Sequence, residues 1–160
     1  MSETRKLLES IQNNLKEDSI NYSKLPKPTN KSNFEGFDIS KVSSNDDSYK
    51  LYQEFLDNPD MIKEKGFNKV YIAEMTPQEY MGLLRLYINL VESDLDKLSD
   101  LNGEYSYFAK TCHDFANKMK QGDKFPLPIL DFHYREQDGR HRVTAAYINN
   151  YSTIPVLICY

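Results

Sequence analysis

At 160 residues the chain has the length of one domain and can bury a sizeable core without disulfides. Its 39% hydrophobic and 28% charged residues are those of a soluble globular protein, and a net charge of −4 excludes the broad positive field that holds duplex DNA mainly through its phosphates. The two cysteines, Cys112 and Cys159, belong to no CxxC pair, no apolar run nears the roughly 18 residues of a membrane span, and the polar start Met1–Lys6 lacks the apolar stretch of a secretory signal. A reducing, cytoplasmic setting is expected.

In chain order, residues 1–22 read as an N-terminal helix, with Leu7, Leu8, Ile11 and Leu15 forming one narrow apolar stripe. That stripe either folds back on the domain or anchors the protein to a partner. Residues 23–33, with Pro26 and Pro28 among mostly polar neighbours, read as an extended linker, and residues 34–160 as the folded domain. Within it, the cap cluster Ser44-Asn45-Asp46-Asp47 precedes Tyr49, Tyr52, Phe55 and Leu56 at helical spacing, stopped by Asn58-Pro59. Residues 69–74 alternate as a strand, with Val70 and Ile72 on one face. Thr76-Pro77-Gln78-Glu79 is a capping box with proline at the first helical position, and Tyr80, Leu83, Leu84, Tyr87, Ile88 and Val91 make a core-facing stripe.

A further helix from about Glu104 to Gln121 places Tyr105, Phe108, Ala109, Cys112, Phe115, Ala116 and Met119 on one face and stops at Gly122, which makes Cys112 a core residue. After Pro126-Leu127-Pro128 the pattern predicts a strand over 129–132, a polar loop from His133 to Asp138, a helix from about Gly139 to Asn149 backed by Val143, Ala146 and Tyr147, and a strand over 154–158. The fold class is therefore α/β (α+β), a small sheet packed by helices.

Chemistry gathers at Asp138-Gly139-Arg140-His141-Arg142. A helix that begins at Gly139 exposes backbone N–H groups and the positive end of its dipole, so anions are attracted there. Arg140 and Arg142 supply forked donors, His141 a third donor, Gly139 a close backbone approach, and His133 lines the site from the preceding loop. Cations are unfavourable at a helix start, and a bound anion resolves that inconsistency. Asp138 has a plainer reading as the helix cap. Asp131 and Asp138 offer oxygen ligands for Mg²⁺ beside the phosphates, and Asp138, His141 and Glu136 are the candidate acid–base groups, although acidic side chains near two arginines are equally expected as ion pairs. The three histidines, His113, His133 and His141, have no zinc-ligand spacing.

The run Gly139-Arg140-His141-Arg142-Val143-Thr144-Ala145-Ala146, followed by Ile154-Pro155-Val156, resembles the ParB/sulfiredoxin-like superfamily over residues 125–160. ParB partition proteins carry a Gly-Glu-Arg-Arg box there that binds a nucleoside triphosphate, and sulfiredoxins carry Gly-Cys-His-Arg. Small ParB-like proteins of bacteriophages and mobile elements have the Gly-Arg-His-Arg form and an upstream helix start similar to Met75-Thr76-Pro77-Gln78-Glu79-Tyr80. The resemblance implies a domain of that fold, a nucleoside triphosphate or other phosphate ligand at the turn, Mg²⁺ beside it, a host-cytoplasm or virion location, and nucleotide hydrolysis or nuclease activity. Arg140 stands where sulfiredoxin has its reactive cysteine, which excludes that repair chemistry, and the metal-binding box and helix-turn-helix module of ParB are not recognisable. No complete acid–base and metal set can be assembled from the sequence. The other reading is a non-catalytic accessory or virion protein that keeps the fold and is recruited through its N-terminal helix.

Overall fold

The computed structural model describes residues 3–7, 20–42, 49–88 and 107–160. Its main sheet has the order β2-β6-β4-β5, built from β2 (Val70–Met75), β4 (Ile129–Asp131), β5 (Glu136–Asp138) and β6 (Ile154–Cys159). β6 runs antiparallel to β2 and parallel to β4, and β4 and β5 form an antiparallel hairpin. A second, two-stranded parallel sheet joins β1 (Phe37–Asp38) to β3 (Phe125–Pro126).

The central strand explains the architecture. All six residues of β6 are buried, as expected of an apolar strand covered on both faces. Ile154, Val156 and Ile158 point into one cluster, which they share with Tyr80, Met81, Leu84, Ala116, Met119, Val143 and Ala146 from the helices. Leu157 and Cys159 point into the other, beneath Tyr52, Phe55 and Phe67. The period of two in β6 thus divides the core into two layers, one on each side of the sheet. Pro155 is tolerated because it lies beyond the stretch of β6 paired with β4, where only β2 is alongside.

Among the described residues from 20 onward, the α-helices are α1 (Lys50–Asp57), α2 (Pro77–Leu83), α3 (Tyr107–Lys120) and α4 (Arg140–Ile148). α2 starts with the expected capping box: the Glu79 amide donates to Thr76 Oγ1 at 3.0 Å and the Thr76 amide to Glu79 Oε1 at 3.3 Å. It then widens into a π-helical turn at Leu84–Ile88, which keeps Tyr80, Leu84 and Ile88 in the core. α3 ends in a Schellman motif, with the Gly122 amide on the Met119 carbonyl, the Asp123 amide on the Lys118 carbonyl, and Gly122 at φ +103°. Cys112 is fully buried, as its place on the apolar face predicts.

Several expectations change. The polar loop between His133 and Asp138 is the tip and second strand of a hairpin, since Glu136–Asp138 pairs with Ile129–Asp131. Tyr147, expected on the buried face of α4, is 38% exposed, and Thr144 and Ala145 are buried with Val143 and Ala146 instead. Residues 23–33 begin in a short 3-10 turn at Tyr22–Lys24 and run extended from Leu25, but they are not a free tether. Leu25 is in the core, Pro28 bridges Ala73, the Thr29 amide donates to the Ile72 carbonyl at 2.9 Å, and Tyr71 Oη donates to the Pro26 carbonyl at 2.9 Å. The segment is a strap along the outer side of β2. Residues 3–7 are helical and Leu7 is 61% exposed, while Leu8, Ile11 and Leu15 lie outside the described residues, as do the cap cluster 44–47, Val91 and Tyr105.

Candidate functional site: the turn into α4

The hairpin and α4 meet at Gly139, the N-cap of α4, with φ +117°. No side chain caps this helix and its first turn holds no acidic residue. Asp138 is therefore not the cap. Its Oδ2 accepts from an Arg142 terminal nitrogen at 3.1 Å, and the same nitrogen donates to the Leu127 carbonyl at 3.0 Å. The Arg142 side chain is only 14% exposed, so its guanidinium ties α4 to β5 and to the segment entering β4. Arg142, expected to supply a forked donor to an anion, has one terminal nitrogen held inside the fold by these two acceptors. Its Nε is buried without a hydrogen-bond partner.

Gly139 is required for a related reason. A Cβ at this position would lie 2.9 Å from Pro128 Cα and 3.0 Å from the Arg142 guanidinium, closer than side chains approach backbone. The close approach that demands glycine is therefore made by the preceding strand segment. Arg140 is half-buried at the first helical position. His141 faces α3, with its ring 4.7 Å from that of Phe108 and 6.5 Å from that of Phe115.

The hairpin register separates the other candidates. Asp131 pairs with Glu136 near the tip and Ile129 with Asp138 at the base, so Glu136 and Asp138 share a face but stand about 7 Å apart along the strand. Asp131 is fully buried and committed to structure. Its Oδ1 accepts the His133 and Tyr134 amides at 2.9 and 3.0 Å, and its Oδ2 accepts the Tyr52 hydroxyl at 2.5 Å. Tyr52 also reaches Glu136 at 3.2 Å. Burial pushes the Asp131 carboxyl above its ordinary value, and burial beside Asp131 pushes the Tyr52 phenol up as well. His133 lies at the hairpin tip against Phe67 and Tyr134, away from Gly139.

The structure therefore brings Gly139, Arg140, Arg142 and Asp138 together, and leaves Asp131, Glu136 and His133 at the far end of the hairpin. Asp131 and Asp138 do not converge on a metal, and among the described residues no three His, Cys, Asp or Glu side chains do. The acid–base trio of Asp138, His141 and Glu136 does not assemble either, because Asp138 is ion-paired and His141 packs on α3. Of the two readings the sequence left open for its acidic residues, Asp138 takes the ion pair, with Arg142 at i,i+4 spacing. Sequence reasoning missed Tyr80, whose buried hydroxyl contacts the Ile129 and Asp138 carbonyls and Gln137 Oε1 at 3.2–3.3 Å and so braces the same turn.

Comparison with family models, with curated proteins and with solved structures gave no match.

Proposed function

We propose that the chain is a phage-type ParB/sulfiredoxin-like domain that binds a phosphate-bearing ligand, in the first instance a nucleoside triphosphate, at the start of α4. The observation that carries this reading is a nine-residue helix that opens on Arg140-His141-Arg142 with neither a side-chain cap nor an acidic residue in its first turn. A helix start without a side-chain cap attracts an anion, and the guanidinium of Arg140 in its first turn suits a phosphate-class one. The parallel β4 and β6, joined through β5 and α4, hold that turn on a buried frame. Arg140 and the first amides of α4 make the ligand contacts, while Arg142, fixed by Asp138 and the Leu127 carbonyl, sets the shape of the turn.

Binding, not turnover, is the activity this arrangement supports, because the acidic residues that would hold Mg²⁺ or move protons are dispersed or already engaged. Labelled ATP, GTP, CTP and UTP titrated with and without Mg²⁺ test the reading. Arg140→Ala is expected to weaken binding about tenfold or more, the loss of one charge-assisted bond. Absence of saturable binding by any nucleotide below millimolar concentration would overturn it.

A second reading has one observation in its favour, the helical residues 3–7 with Leu7 standing 61% exposed. Under it the domain is a non-catalytic accessory or virion component recruited through its N-terminal helix. Deleting residues 1–19, which spares the strap, would remove partner association and leave both stability and nucleotide binding intact.

A further inference from the structure

A cleft of about 290 Å³ lies at the opposite edge of the sheet from the hairpin, where the strap passes the start of β2. It is lined by Tyr22, Lys27, Lys69, Tyr71 and Tyr160, with Ser23 and Pro28 completing the wall. Its volume is just below the roughly 300–1,000 Å³ typical of small-molecule sites. Three tyrosines and two lysines converge here, in a protein whose overall charge is negative.

The geometry of the rings is specific. Tyr22 and Tyr160 are stacked with centroids 4.2 Å apart and planes only 7° from parallel, and Tyr71 meets Tyr160 edge-on at 6.4 Å. Stacking covers one face of Tyr22, yet the residue remains 38% exposed. Each wall is anchored: Tyr71 Oη to the Pro26 carbonyl, the backbone of Lys69 to that of Tyr160 in both directions at 3.0 Å, and Lys27 Nζ to the Ser23 carbonyl at 2.7 Å. That bond uses one of the three ammonium donors of Lys27. A rigid aromatic face flanked by cations is the arrangement that takes a nucleobase on the ring and its phosphate on the ammonium groups.

We propose that this cleft is a nucleotide-unit site distinct from the turn at Gly139, stacking one base on the Tyr22–Tyr160 pair and holding its phosphate between Lys27 and Lys69. The unit is either a free nucleotide or one residue of a single strand. Stacking tolerates every base, so the site discriminates little by sequence. It goes beyond the function proposed above and stands or falls separately from it.

The test is fluorescence polarisation of a short fluorescein-labelled oligothymidylate with the full chain at low salt, and competition by thymidine monophosphate. Saturable binding is expected, weakened at least about fivefold in Tyr22→Ala and restored in Tyr22→Phe, since the ring and not the hydroxyl makes the stack. Lys69→Glu should weaken binding and flatten its dependence on salt, because a phosphate contact releases counterions. Competition by the monophosphate assigns the site to free nucleotides, and binding by the oligonucleotide alone assigns it to strands. Arg140→Glu, which disables the turn, should leave this binding unchanged. The proposal is overturned if no saturable binding occurs, if folded Tyr22→Ala and Lys69→Glu bind as the unaltered protein does, or if only Arg140→Glu abolishes binding.

Discussion

Arg142 shows how a single contact redirects a residue's role. A guanidinium that donates to a carboxylate and to a backbone carbonyl, with little solvent around it, is a structural brace. Arg142→Ala strands the Leu127 carbonyl and the Asp138 carboxylate, so chemical denaturation should report a loss of about 1–3 kcal/mol. Lysine should recover only part of it, because one ammonium cannot reproduce the planar fork. Gly139→Ala should cost at least as much, since the new methyl meets Pro128 backbone at a positive φ that side chains rarely adopt. Asp131 gives the pH dependence. Its carboxyl is raised above 3.8 by burial, so the folded state holds the proton more tightly than the unfolded state. The stability it contributes is complete below that ordinary value and is lost as pH rises through the native one. Asp131→Asn keeps an acceptor for the His133 and Tyr134 amides and lets Tyr52 turn its proton to Glu136. Its stability relative to the unaltered protein should therefore grow as pH rises above about 4; urea melts across that range would reveal a flat or shrinking difference if the assignment were wrong.

The elements divide by how local their signals are. The capping box at Thr76, the apolar face of α3 and its stop at Gly122 depend on residues within a few positions of one another, and all are legible in the sequence. β5 was not, because Glu136-Gln137-Asp138 is polar and short and acquires strand geometry only from pairing with β4. The strap was not, because the residues it rests on, Tyr71 to Ala73, are more than forty positions away. At the candidate site, the sequence displayed the cationic helix start but not that Pro128 occupies the space over Gly139, a contact fixed by tertiary packing. The strap carries its own prediction. Leu25 is 4% exposed within the main core, so Leu25→Ala should lower stability by about 2–4 kcal/mol. Truncation through Thr29 should go further and expose the edge of β2, seen as self-association in size-exclusion chromatography, whereas truncation through Ser19 should do neither.

At the scale of the molecule, one sheet separates two chemically different ends. The hairpin end holds the buried Asp131–Tyr52 bond and the uncapped turn of α4, and the strap end holds the tyrosine–lysine cleft. The strand between them is β6, which has neighbours on both sides and follows every other strand in sequence. During synthesis, β2 emerges some eighty residues before the strand it pairs with, and β4 has only its hairpin partner until residues 154–159 follow. The assembly of the sheet therefore waits for β6, and β2 lacks its ladder partner in the meantime, the condition under which nascent chains need protection from aggregation. In refolding experiments Val156→Ala should slow folding, since closing the sheet around β6 is the step that joins the distant segments. Leu25→Ala should instead speed unfolding, because the strap can settle only on a β2 that already has its partner.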